Sequence, residues 1–123
     1  MLLDNICSNA KGYSSGNASA FCDVSVLSDT DNFINIRLHF FEASIVEKVA
    51  FVGFKVFRVD PSSGKQYYVM DLMYEPQNDN LMKLSPTLKS GTYVFSVGFT
   101  LKKDISETYP TFYSIEKQIS IRQ

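Results

Sequence analysis

The sequence has 123 residues, of which 45% are hydrophobic, 14% aromatic and 20% charged, with ten Phe, seven Tyr and no Trp. This length suits one domain that buries its own core, and the aromatic content favours β-structure over disorder. The formal charge of −1, with Lys102-Lys103 as the densest basic cluster, argues against a nucleic-acid-binding protein.

Targeting and membrane signals are weak in this sequence. No apolar run approaches the roughly 18 residues that a membrane-spanning helix needs. The first residues have neither the basic region nor the apolar stretch of a signal peptide. We therefore expect synthesis in the cytoplasm, no membrane insertion, and room for later incorporation into a particle.

The first twenty residues are rich in Ser, Asn, Gly and Ala, so we expect an N-terminal extension over residues 1–20 and a domain over residues 21–123. Cys7 and Cys22 bracket part of this extension. A disulfide between them would contribute about 3 kcal/mol in an oxidising compartment. The alternative is two buried thiols. Asn17 begins a glycosylation triplet that matters only in a secreted eukaryotic protein.

From Cys22 onward, apolar residues recur with a period of two between clusters of turn residues. Residues 22–26 predict a first strand and residues 34–40 a second, each with one face on a core. Residues 49–59 are apolar in both parities, which predicts a central strand that is covered on both faces or exposes an apolar patch. No window predicts a helix.

A hairpin is predicted around residues 60–65, where Asp60, Pro61 and Gly64 have the turn chemistry for it. The return strand covers residues 66–75 and ends before Pro76. A short strand follows at residues 81–84. Another runs from Tyr93 to Leu101 with an unbroken apolar face, and a last strand includes residues 115–121, which makes seven in all.

Residues 88–99 resemble the tyrosine corner of immunoglobulin-like and fibronectin-type domains. In that corner a leucine plugs the bottom of the core, a glycine allows close approach, and a tyrosine hydroxyl bonds back to the backbone. Leu88, Gly91 and Tyr93 match these roles. The resemblance implies an all-β, seven-stranded antiparallel immunoglobulin-like sandwich. The strands lack the inter-sheet cysteines and the core Trp, which excludes antibody-type domains.

Few residues in this sequence are suited to catalysis. His39 is the one histidine and has the solvent parity of its strand, so a triad or zinc site would depend on a single surface imidazole. The two cysteines lack CxxC spacing. We therefore predict no enzyme, no cofactor and no metal.

The outer face of the 49–75 hairpin is the predicted partner site, because apolar and aromatic side chains of both strands would meet there. Its residues are Phe51, Lys55, Phe57, Val59, Tyr67, Val69 and Met73. The alternative is that residues 1–20 fold over this face and bury it. The predicted partners are proteins, including copies of this chain, and not nucleic acid.

These features together predict a non-enzymatic protein-interaction or structural module, a subunit of a viral or phage particle or of a surface appendage. The alternative is a small intracellular inhibitor or immunity protein that blocks an enzyme. That alternative rests on a resemblance in strand order to the immunoglobulin-like intracellular proteinase inhibitors, whose loops would do the binding.

Overall fold

The structure is a computed structural model that describes residues 15–28, 33–85, 88–108 and 110–122. Its described part is nearly all β, as predicted. The strands are β1 (Ser15–Asn17), β2 (Cys22–Ser28), β3 (Ile34–Phe40), β4 (Val49–Val59), β5 (Gln66–Tyr74), β6 (Asp79–Leu84), β7 (Gly91–Leu101) and β8 (Phe112–Ile121). Strands β2 to β8 are the seven predicted from sequence, and β1 is additional.

Two helical segments correct the prediction that no window forms a helix. They are α1 (Ala43–Val46) and a 3-10 turn at Lys102–Asp104. Each is about one turn long, too short for the repeating 3.6-residue pattern that reveals a helix in sequence. Neither helical segment of the described chain has the length and apolarity to cross a membrane.

The strands form two sheets that enclose one core. The large sheet has the order β1-β8-β7-β4-β5, and the small sheet has the order β2-β3-β6. All neighbours are antiparallel except β1, which runs parallel to β8. The chain therefore crosses between sheets after β1, β3, β5 and β6.

The core lies between the inner faces of the two sheets. In β2 and β3, apolar and polar residues alternate and so does their burial, with Val24 opposite Leu38 in the register. From the large sheet, β4 and β7 contribute fully buried side chains. The largest fully buried side chains are Tyr93, Phe54, Phe95, Phe99, Ile34, Ile36 and Leu38.

Strand β4 is central in the large sheet, between β5 and β7, and is buried on both faces as its sequence predicts. On its inner face Phe54 belongs to the main core. On its outer face Phe51 packs with Phe112 in a second, smaller cluster. Lys55 is 4% exposed, opposite Asp71 of β5.

The β4–β5 ladder contains one irregularity. Val56 pairs with Met70 but Phe57 pairs with Tyr68, so Val69 is an extra residue in β5. Such a bulge changes the side-chain parity of the strand beyond it. Tyr68, and not Tyr67, therefore shares a face with Phe57, and the two rings meet edge to face at 6.4 Å.

The predicted turn between these strands is present. The Asp60 carboxylate accepts hydrogen bonds from the Ser62 amide and from the hydroxyls of Ser62 and Ser63. Gly64 adopts a φ of 73°, which is the left-handed conformation expected of glycine in a turn. These contacts pull the pKa of Asp60 below its ordinary value, chiefly through the Ser63 hydroxyl.

The predicted corner contacts before β7 are also found. The Tyr93 hydroxyl donates a hydrogen bond of 2.7 Å to the Lys89 carbonyl oxygen. Leu88 is buried within the main core cluster. The backbone before β7 is thus fixed to the strand that it enters.

Candidate functional site

A cavity of about 720 Å³ opens at the end of the sandwich where β4 begins and β7 ends. Its lining comes from four separated parts of the chain, namely the start of β2, the α1 region, the end of β7 and the start of β8. The lining residues are Phe21, Ile45, Glu47, Lys48, Phe99, Leu101, Lys102, Lys103 and Tyr113. Ligand pockets in proteins are commonly about 300 to 1,000 Å³, so this cavity has the size for a small molecule.

Three aromatic rings form one side of the cavity. Phe99 and Tyr113 stack with their centroids 5.4 Å apart and an interplanar angle of 19°. Phe21 meets both rings edge to face, at 6.1 Å from Phe99 and 6.3 Å from Tyr113. These are the favoured arrangements of aromatic pairs. The three rings hold one another in place. Phe21 and Tyr113 are half-buried and supply most of the apolar wall, whereas Phe99 is 1% exposed and belongs to the main core.

The mouth of the cavity is basic. Lys48, Lys102 and Lys103 are exposed there, with Glu47 as the one acidic residue of the lining. The whole chain carries a net charge of −1, so this local excess of lysine runs against its overall balance. An anion at the mouth would meet a favourable field next to an apolar wall.

Backbone hydrogen bonds join the segments that surround the cavity. The Lys102 amide donates to the Lys48 carbonyl oxygen at 2.8 Å, which connects the end of β7 to the residue before β4. The Phe21 amide donates to Ala18 at 2.9 Å, and the Phe41 amide donates to Phe21 at 3.0 Å. These backbone hydrogen bonds thus fix the positions of Lys48, Lys102 and Phe21 relative to the strands.

Gly98 brings β8 close to the cavity. A Cβ atom at this position would lie 1.7 Å from the Tyr113 carbonyl oxygen and 2.7 Å from the Ser114 Cα. No side chain fits that space. The close approach of the two backbones therefore places the Tyr113 ring against Phe99.

The structure only partly assembles the predicted partner face. Phe51, Lys55, Phe57 and Met73 do share the outer face of the large sheet. This face is largely covered, because Phe51 and Lys55 are buried and the other two are half-buried. Val59 is half-buried at the hairpin end of the same strand.

Tyr67 corrects the prediction. We expected it on the outer face with Val69 and Met73, but the bulge at Val69 places Tyr67 opposite Arg58 on the other face. Tyr67, Tyr68 and Val69 are the exposed large hydrophobic side chains of the hairpin. Tyr67 is 52% exposed, Tyr68 42% and Val69 39%.

His39 lies on the solvent side of the small sheet, as predicted. Its neighbour Arg37 binds the Asp79 carboxylate through two hydrogen bonds of 2.8 and 3.0 Å. His39 Nδ1 is 3.6 Å from the same carboxylate. The hydrogen bond from Arg37 is the largest effect on Asp79 and holds its pKa below the ordinary value. Desolvation opposes this lowering, and the charges of Arg37 and His39 add to it.

Cys22 is a free, buried thiol that donates to the Ala18 carbonyl oxygen at 3.6 Å. Burial, and then the charge of Asp23, raises its pKa to about 11. Cys7 lies outside the described residues, so the two alternatives, a disulfide between Cys7 and Cys22 or two buried thiols, stay predictions. Asn17, which begins the glycosylation triplet, is exposed and accepts a hydrogen bond from the Ser19 amide.

No group of three His, Cys, Asp or Glu side chains in the described part of the chain is arranged to hold a metal ion. Asp79 and Asn80, at the start of β6, make hydrogen bonds within the protein.

Sequence reasoning missed the cavity as a site. Lys102 and Lys103 stand out as the densest basic cluster, and Phe99 and Leu101 as part of an apolar face. Nothing in the pattern shows that Phe21 and Tyr113, more than ninety positions apart, meet beside them.

No family model matches the chain, and no curated protein matches it. Among solved structures, the matches include the superoxide reductase (neelaredoxin) from Ignicoccus hospitalis, which is 12% identical with a TM-score of 0.44 over 94% of this chain and 93% of that chain. A variant of the same enzyme matches with a TM-score of 0.40 at 12% identity, over 94% of this chain and 85% of that chain. At this identity and these TM-scores, no activity carries over to the present chain.

These matches nevertheless correct the functional prediction. The proteins matched are enzymes, and none is a viral, structural or inhibitor protein. This comparison contradicts three predictions, which we withdraw. They are a non-enzymatic subunit of a particle or appendage, an inhibitor as its alternative, and a chain that is not an enzyme.

Proposed function

We propose that this chain binds small amphipathic carboxylates in the cavity at the end of the sandwich. One observation carries the proposal: the stacked wall of Phe21, Phe99 and Tyr113 stands directly beside a mouth that holds three exposed lysines. An apolar body can pack on the rings while an anionic head stays near the lysines. Neutral and cationic molecules of the same shape lack the second interaction.

The size and chemistry of the cavity suggest a flexible or aromatic body with a single anionic head. Burial of each methylene group contributes about 0.8 kcal/mol, so two more methylenes should tighten binding about tenfold until the cavity is filled. An exposed lysine contributes about 0.2 to 1 kcal/mol to an ion pair, or roughly 1.5-fold to fivefold in affinity.

Isothermal titration calorimetry tests the proposal with octanoate, decanoate and dodecanoate as probes, each below its micelle concentration. We expect affinity to rise along this series. Decanol and decylamine should bind more weakly than decanoate, and added salt should narrow the difference between decanoate and decanol. Equal affinity for decanoate, decanol and decylamine would reject the proposal.

Variants locate the binding. Lys102→Gln and Lys103→Gln should each weaken decanoate binding, and Ile45→Trp should weaken it further by filling the cavity. Lys65→Gln is the matched control, because it removes the same charge in the turn at the far end of β4. Unchanged affinity in the first three variants, or an equal loss in the control, would place binding elsewhere.

We also infer that the sandwich is of the immunoglobulin-like or fibronectin-type kind. The Tyr93 corner and the four chain crossings between the sheets support this inference. An experimental structure tests it through the sheet order, which should keep β2-β3-β6 separate from β8-β7-β4-β5.

A further inference from the structure

The outer face of the large sheet is buried, although none of the described strands lies across it. The small sheet packs against the inner face, and α1 contacts β3 of that small sheet. On the outer face Phe51 is 7% exposed, Phe112 3% and Thr100 0%. A sheet face in contact with solvent normally presents polar, exposed side chains. A further part of the molecule therefore covers this face.

The burial reaches the charged middle of this face. Lys55 is 4% exposed and lies between Asp71 of β5 and Ser96 of β7 in the register. Its Nζ atom is 4.1 Å from the centroid of the Phe57 ring. Along β7, Ser96 lies about 17 Å before the last residue, Leu101. The loop between β7 and β8 begins and ends at that end of the sheet, so another segment must cover Lys55.

Residues 1–14 lie outside the described residues, and their place in the chain suits them to this role. Ser15 pairs with Phe112, so the chain before β1 starts beside the cluster of Phe112 and Phe51. In the sheet order β4 is the third strand from β1, at a distance of about 14 Å, which about five extended residues cross. The next longest undescribed stretch, residues 29–32, joins β2 to β3 in the small sheet. Residues 1–14 are therefore the segment within reach of the face.

We propose that residues 1–14 dock on the outer face of the large sheet of their own chain, with Leu3 and Ile6 as apolar anchors. The face is already buried in a structure that contains one copy of the chain, so a second copy is not needed to cover it. A tethered segment also loses less translational and rotational freedom on docking than a separate partner does. The face that the sequence predicts as a partner site is thus occupied by the chain itself.

Acylation of the lysine amines in the full chain, followed by mass spectrometry, tests the proposal. In the wild type, Lys55 should react slowly and the exposed Lys65 quickly. Leu3→Ser combined with Ile6→Ser should raise the rate at Lys55 about tenfold or more, because the segment then separates from the sheet more often. The rate at Lys65 should stay the same.

Leu27→Ser combined with Leu81→Ser is the matched control, because these residues are 66% and 76% exposed on the small sheet. It should leave the rate at Lys55 unchanged. A thiol reagent detects unfolding, since the buried Cys22 should stay unlabelled when only the cover is lost. An unchanged rate at Lys55 in the first double variant, or an equal rise in the control, would overturn the proposal. Faster acylation of Lys55 on dilution would also overturn it, by assigning the cover to a second copy.

A nitroxide label on Cys7 gives a second measurement that needs no substitution, and it decides the question if the first double variant unfolds. The label goes to Cys7 because Cys22 is buried. In NMR spectra, the amide signals of Lys55 and Ser96 should broaden more than those of Leu81 and the other residues of the small sheet. Equal broadening in both sheets, or none in either, would contradict docking on the outer face.

Discussion

The Tyr93 hydroxyl lies 2.7 Å from the Lys89 carbonyl oxygen, to which it donates a hydrogen bond four residues back along the chain. The Tyr93 ring is 2% exposed and belongs to the main core, so this one side chain joins the core to the segment before β7. The carbonyl would be left without that donor if the hydroxyl were removed.

Tyr93→Phe should therefore lower the free energy of unfolding by about 1 to 3 kcal/mol, the usual effect of leaving a partly buried acceptor unpaired. Urea denaturation followed by circular dichroism measures it. Tyr67→Phe is the control, because Tyr67 is 52% exposed and should tolerate the same change. Equal stability of the two variants would mean that the corner does not stabilise the fold.

Gly98→Ala should destabilise the protein by about 1 to 3 kcal/mol or more, because the added methyl meets the backbone of β8 and one strand must move. Tyr113 moves with that strand, so decanoate binding should weaken as well. Ser96→Ala, two residues earlier in β7, controls for a change in the same strand. Wild-type stability in Gly98→Ala would show that β8 does not approach β7 as described.

Gly64→Ala should reduce stability by about 1 kcal/mol or slightly more. The cause is conformational strain alone, since φ is 73° and an added Cβ would meet nothing within 4 Å. Gly64→Asn should lose less, because asparagine tolerates the left-handed region better. Thermal unfolding of both variants measures the difference, and a reversed order would contradict the assigned turn.

The pair of Arg37 and Asp79 should make stability depend on pH. The pKa of Asp79 is lowered in the folded state, chiefly by the hydrogen bond from Arg37. Its contribution is therefore complete above the unfolded value of 3.8 and is lost as the pH falls through the lower, folded value. Arg37→Gln should be less stable than wild type at neutral pH, and the gap should shrink on acidification.

Arg58→Gln provides the control for that titration, because Arg58 donates to the Ser90 carbonyl oxygen, which does not titrate. Urea midpoints at neutral pH and near pH 3 should give a pH-dependent difference for Arg37→Gln and a constant one for Arg58→Gln. A constant difference for both would show that the pair does not affect the titration of Asp79.

Much of the fold could be predicted because the signal was local. Alternation in residues 22–26 and 34–40 reflects strands with one buried face, and the Asp60 and Gly64 turn depends on neighbouring residues. The short strand β1 was missed, since three small or polar residues have no alternation and their partner, β8, is almost a hundred residues away.

The site was harder to predict because it depends on contacts between distant segments. One extra residue at Val69 reverses the parity that placed Tyr67 on the partner face, and the sequence does not mark that residue as a bulge. The cavity requires the absence of a side chain at Gly98, the position of Phe21, and the hydrogen bond from the Lys102 amide to the Lys48 carbonyl oxygen. Each of these is a tertiary relationship that no local period encodes.

The buried thiol of Cys22 makes the rate of opening of this sandwich measurable. With its pKa raised to about 11 and its sulfur inside the core, it should react with a thiol reagent only when β2 separates from its neighbours. In a Cys7→Ser variant, the rate at which Cys22 is labelled would then measure how often β2 separates from its neighbours. Chains with and without a bound carboxylate could then be compared on one kinetic scale, by the rate at which the Cys22 sulfur becomes accessible.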